Sequence, residues 1–110
     1  MQQIKENTNT VSVKKIIDEI EYQSNGIVSK QIIKKPNGNI TLFAFDKDES
    51  LSEHTSPYEA IAQIIEGEMK ITIGGVVNTV KGGEMIIMPP NISHGLVAVI
   101  KSKLLLTMIK

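Results

Sequence analysis

The chain contains no cysteine and no tryptophan, and only two phenylalanines (Phe43, Phe45) and two tyrosines (Tyr22, Tyr58). Without cysteine there is no disulfide, no thiolate nucleophile and no cysteine-ligated zinc or iron–sulfur centre, and cysteine usage says nothing of redox compartment. So few aromatics disfavour single-stranded nucleic-acid binding, which stacks bases on exposed rings. An excess of charge is also lacking. Twelve basic and twelve acidic residues cancel, so no field of one sign draws nucleic acid or an anionic membrane surface. The longest continuous apolar run, residues 96–100, is far shorter than the roughly 20 residues of a membrane-crossing helix. The polar start, Met1-Gln2-Gln3-Ile4-Lys5, has no apolar signal-peptide segment. These absences lead to the expectation of a soluble, cytoplasmic protein without nucleic-acid or membrane partners. The sequons Asn39-Ile40-Thr41 and Asn91-Ile92-Ser93 are then chance matches.

What is present is a chain of 110 residues with 41% apolar content, mostly Ile, Val, Leu and Met. That length suits one domain around one core. Residues 1–10 are polar and read as a loose arm. Residues 11–20 hold the one helix candidate, with Ser12 as its cap and Ile16, Ile17 and Ile20 on one face. The expected division is therefore an arm and short helix over 1–26, then an all-β barrel over 27–110.

After Asn25-Gly26 the pattern changes to short β-type runs separated by turn signals. Residues 27–33 precede Pro36-Asn37-Gly38, and residues 40–45 precede the charged turn 46–50, whose Asp46 and Asp48 read as solvated. Residues 58–65 and 69–73 are split at Glu66-Gly67-Glu68. Gly74-Gly75 suits a two-residue hairpin loop at positive φ, returning through 76–80. Lys81-Gly82-Gly83 is another tight turn. The run 84–88 stops at Pro89-Pro90, and 96–100 and 104–109 end the chain. Eight or nine strands at near-regular spacing are the pattern of a sandwich or barrel. The last run, Leu104-Leu105-Leu106-Thr107-Met108-Ile109, has apolar residues on both faces. One face can meet the core and the other needs cover, which points to a homodimer.

Two stretches carry a family resemblance. Ser52-Glu53-His54-Thr55-Ser56-Pro57-Tyr58-Glu59-Ala60, continuing to Ile64-Ile65-Glu66-Gly67-Glu68, resembles the first cupin motif, a His-x-His pair followed by a Glu or Gln and then a Gly-containing hairpin. Gly83-Glu84-Met85-Ile86-Ile87-Met88-Pro89-Pro90-Asn91-Ile92-Ser93-His94 resembles the second. Its Gly, Pro and His are in register, and Asn91 replaces a Gly. Asn is the best non-Gly residue where φ is positive. The resemblance implies a double-stranded β-helix, the cupin jelly-roll barrel, with His54 and His94 inward near one mouth.

It also implies where a metal would sit. His54 and His94 keep two of the family's four ligand positions, while Ser56 and Ala60 replace the second His and the Glu or Gln. Catalytic zinc generally takes three protein ligands, and non-haem iron two His and a carboxylate. Glu53 should point away from His54 by strand alternation, and Glu59 lies one position from the ligand slot. A divalent metal (Zn, Ni, Fe or Mn) would be weakly held. Ser56, Ala60, Ala62 and Met88 are expected to line a pocket, widened where Ser and Ala replace larger residues. Met85 and Met88 read as gap-filling apolar residues rather than soft ligands. The function expected is binding of a small molecule in the barrel. The alternative is a metal-dependent dioxygenase- or isomerase-like enzyme with a two-His site.

Overall fold

A computed structural model describes the backbone of residues 2–5 and all of residues 11–110. Among them are ten strands: β1 (Gln2–Lys5), β2 (Ile27–Lys35), β3 (Gly38–Phe45), β4 (Ser50–His54), β5 (Glu59–Glu66), β6 (Glu68–Ile73), β7 (Val76–Lys81), β8 (Met85–Met88), β9 (His94–Ala98) and β10 (Ser102–Ile109). They form a six-stranded sheet ordered β1-β2-β3-β10-β5-β8 and a four-stranded sheet ordered β4-β9-β6-β7. This is the jelly-roll architecture the motifs imply. No helix of the described residues is long and apolar enough to cross a membrane.

Period-two alternation sorts the side chains. Phe45, Ala60, Ala62, Ile64, Met69 and Ile71 are buried between the sheets together with Leu96, Ala98 and Leu104. The tight turns behave as their residues demand. Gly74 and Gly75 sit at φ 55° and 83° in the β6–β7 hairpin, and Asn91 sits at 64°. Glu66-Gly67-Glu68 is not a hairpin. β5 and β6 lie in different sheets, so Gly67 is a corner where the chain crosses between them.

The N-terminal region departs from expectation. No helix spans 11–20; a single 3-10 turn, Ile16–Asp18, follows Lys15 without a side-chain cap. Val11 and Val13 are fully exposed, and of the three isoleucines only Ile20 is buried. Branching at Cβ weakens helix formation at these positions, while the outer face of the six-stranded sheet offers Ile20 an apolar seat on Val28, Leu42 and Ala44. Gln2–Lys5, expected within a loose arm, pair in parallel with β2. The rest of that arm lies outside the described residues.

Polar contacts hold residues 16–22 as a strap. The Lys30 ammonium, on a residue only 8% exposed, donates to the Glu19 carboxylate at 3.2 Å and the Glu19 carbonyl at 3.3 Å. The hydrogen bond from Lys30 draws the Glu19 carboxyl below its ordinary range. Lys103 donates to the Ile17 carbonyl at 2.5 Å, and the Tyr22 hydroxyl donates to Glu66 at 2.5 Å. Asp46, expected to be solvated, is half-buried and accepts the Asn25 N–H at 2.7 Å and the Lys47 N–H at 2.8 Å, which lower its pKa.

Desolvation first, and the Glu66 hydrogen bond second, raise the Tyr22 pKa well above its ordinary value of 10.0. The folded state therefore keeps this proton where the unfolded chain releases it, so the contribution is present below the unfolded value and lost as pH rises through the folded one. Tyr22→Phe is expected to cost about 1 kcal/mol at neutral pH, the worth of one hydrogen bond. It should also flatten the alkaline decline. Urea unfolding of both proteins across neutral and alkaline pH measures this, and parallel curves would refute the assignment.

Candidate functional site

The site begins with the alternation along β9. His94, Leu96 and Ala98 share one face, and Leu96 and Ala98 belong to the core between the sheets. β4 pairs antiparallel with β9, Leu51 opposite Leu96 and His54 opposite His94. Three positions separate Leu51 from His54, so a regular strand would place them on opposite faces. The register shifts between them: Ser52 and Glu53 together oppose the single residue Gly95. This bulge returns His54 to the inner face.

Gly95 is what permits it. A Cβ there would lie 2.9 Å from Glu53 Cγ and 3.2 Å from Glu53 N. The Glu53 side chain thus occupies the outer face, away from the histidines, as alternation from His54 predicted.

The two rings meet edge to face, centroids 4.5 Å apart at 62°. His94 is 7% exposed, with Ile73 of β6 as its other cross-strand neighbour, whereas His54 is open to solvent. His54 Nδ1 lies 2.9 Å from the Ser52 carbonyl, and His94 Nδ1 lies 3.3 Å from the Ile92 carbonyl. A carbonyl oxygen only accepts, so each Nδ1 carries the hydrogen, and in the neutral form of either ring the lone pair then sits on Nε2. The Ile92 carbonyl is fixed by the loop around it. The Asn91 N–H donates to the Ser56 carbonyl at 2.8 Å, and the Gly74 N–H donates to the Ser93 carbonyl at 2.8 Å.

The replaced ligand positions lie close by in the chain but do other work. Ser56 is half-buried, and its hydroxyl accepts the Tyr58 N–H at 3.2 Å. Ala60 pairs with Met88 and Ala62 with Ile86 across β5 and β8. Ala60, Ala62 and Met88 expose 3%, 0% and 2% and pack in the core with Leu96. A ligand reaching these three must displace packed side chains. Met85, by contrast, lies on the outer surface, 58% exposed.

The donor set does not fit a resident catalytic metal. Two imidazoles are present, Glu59 is exposed, and no group of three His, Cys, Asp or Glu among the described residues could hold an ion.

The comparisons agree with the fold. A family model described as a cupin domain matches residues 41–110. The chain belongs to the cupin family. A conserved protein of unknown function from Streptococcus pyogenes superposes with a TM-score of 0.90 at 30% identity, covering 96% of this chain and 92% of that one. A cupin 2 conserved barrel domain protein from Leptotrichia buccalis shares 37% identity with a TM-score of 0.82, covering 86% of this cupin. This chain spans about half (46%) of that protein. A salicylate 1,2-dioxygenase from Pseudoaminobacter salicylatoxidans has the same fold, TM-score 0.71, at 13% identity, covering 76% of this chain and 27% of its own. At that identity the likeness is one of fold alone. Among curated proteins none matches this cupin.

Proposed function

We propose that this cupin binds a small molecule at the barrel mouth through the paired Nε2 atoms of His54 and His94. The observation that carries this reading is the commitment of both Nδ1 atoms to backbone carbonyls, which leaves two adjacent acceptors presented by one rigid sheet. A ligand with a donor group, a phenol, carboxylic acid or amide, suits them. Ser56 borders the site in this reading, while Ala60, Ala62 and Met88, expected to line a pocket, stay in the packed core. The residues that would complete a catalytic metal are replaced, so binding rather than metal chemistry is the function supported best.

The same tautomers favour one further ligand. A backbone carbonyl behind Nδ1 is the usual support of a metal-bound imidazole, so a divalent cation (Zn, Ni, Fe or Mn), weakly held and completed by water, competes for the same atoms. The two are separated by titrating chelator-treated protein with a set of phenols, carboxylic acids and amides, following the imidazole signals by NMR. Expected is metal-free binding that shifts both rings and weakens at least about tenfold in His94→Ala, the loss of one charge-free acceptor and its geometry. Binding that appears only after zinc is added would overturn the metal-free reading.

A further inference from the structure

The inner face of the four-stranded sheet ends at the barrel mouth in a single row. His54 of β4 lies opposite His94 of β9, His94 opposite Ile73 of β6, and Ile73 opposite Val76 of β7. Residues directly opposed in antiparallel strands share a face, and Ile73 packs against the core, so Val76 stands on the inner side with the histidines. The row divides by chemistry. One half presents the two Nε2 atoms, and the other half, Ile73 and Val76, is branched and apolar. Two strand spacings, about 10 Å, separate His94 from Val76. The apolar half is braced from behind. The Asn78 amide nitrogen donates to the Val76 carbonyl at 3.1 Å and to the Ile71 carbonyl at 3.3 Å. Ile92, 41% exposed, adds to this half: its Cγ2 lies 3.4 Å from the point where a Cβ on Gly74 would stand.

What these strands lack selects the ligand. The next row inward is Leu51, Leu96, Ile71 and Asn78, and neither row holds a lysine or a carboxylate. A carboxylate ligand is ionised at neutral pH. It would bring only lone pairs to two neutral imidazoles that also present lone pairs, and would leave water without gaining a counter-charge. An amide brings a carbonyl as well as an N–H, and the Asn78 amide nitrogen already donates to two backbone carbonyls. A phenol, with an ordinary pKa of about 10, keeps its proton at neutral pH. It offers an O–H donor on a rigid apolar ring.

We infer that the mouth selects an uncharged phenol with an apolar para substituent, its O–H on the histidine pair and its substituent on Ile73 and Val76. This specificity rests on the histidine anchor proposed above. It adds to that anchor a residue of β7, a strand that lies between the two motif stretches.

Val76 and Val77 supply the test. They are neighbours, 64% and 59% exposed, but Val77 pairs with Thr72 and faces outward by alternation. The chelator-treated full chain is titrated with phenol, para-propylphenol and para-propylbenzoate at about pH 8, where free imidazole is uncharged, following the imidazole signals by NMR. Para-propylphenol should bind about tenfold tighter than phenol, the worth of a partly buried propyl chain, and about tenfold tighter than para-propylbenzoate. Val76→Asp should remove the propyl gain and leave phenol within about twofold. Val76→Ser, expected to remove part of the gain, serves as the second variant should the first fold poorly by circular dichroism. Val77→Asp should change neither affinity. Equal binding of phenol and para-propylphenol, equal responses to the Val76 and Val77 variants, or tightest binding of the benzoate would overturn the inference and leave the histidine anchor in place. No imidazole shift with any of the three probes would overturn the anchor, and this specificity with it.

Discussion

Replacing Gly67 with alanine is expected to destabilise the barrel by about 3–5 kcal/mol, the sum of backbone strain and overpacking, and to lower its melting temperature by roughly 15 °C or more. Gly67 turns the corner between the sheets at φ 100°, a conformation that L side chains rarely adopt. A Cβ there would collide with the Ser102 hydroxyl and the Lys101 carbonyl, and lie 2.7 Å from Ser102 Cα. None of these is the free end of a flexible side chain. Ser102 is completely buried; its hydroxyl accepts the Glu68 N–H at 3.0 Å and donates to the Ile100 carbonyl at 2.8 Å. Displacing it breaks buried hydrogen bonds at the point where β10 begins. Gly75→Ala is the internal control. Gly75 also has positive φ, 83°, but an added Cβ meets nothing within 4 Å, so only strain of about 1 kcal/mol remains. Thermal and urea unfolding of both variants tests the comparison. Equal losses would show that strain alone, without the Ser102 contact, governs the corner.

The contrast between these two glycines marks what the sequence conveys. Gly74-Gly75 between two apolar runs announces a hairpin through local chemistry alone, and Asn91 announces its positive φ. Gly67 looks the same locally, but its constraint comes from Ser102, 35 positions away. β4 was invisible as a strand because Ser50, Ser52 and Glu53 are polar and exposed and Leu51 is its one apolar residue. Its pairing with β9 rather than its composition makes it a strand. The helix expected over 11–20 failed for the converse reason. Its isoleucines were legible, but the apolar seat that takes Ile20 out of a helix is built by β2 and β3. At the candidate site, the family motifs placed His54 and His94 together. The bulge that makes this possible left one sign only, a glycine immediately after His94, and that sign has meaning only once Glu53 is known to lie opposite.

That bulge makes Gly95→Ala the sharpest test of how the site is held. The added methyl would stand 2.9 Å from Glu53 Cγ and 3.3 Å from Glu53 Cα, so one strand must move. β4 is the edge strand of its sheet and four of its five residues are exposed, whereas β9 is held between β4 and β6 and anchored in the core by Leu96 and Ala98. β4 therefore yields, at a cost of about 1–2 kcal/mol in stability. The consequence for the histidines is larger. Expelling the extra residue from the bulge slips the register by one position and turns His54 to the outer face, while His94 stays where it is. The ring-to-ring contact seen at 4.5 Å should vanish from NMR cross-relaxation. Affinity for zinc, or for any small molecule bound by both rings, should fall about tenfold or more, to the level of His54→Ala. Adding Glu53→Gly to Gly95→Ala removes the Cγ contact and should recover part of the loss, which a general weakening of the barrel would not allow. A variant that retains the ring contact and the affinity would show that the histidines are held together by their loops, and that Gly95 is only a packing residue.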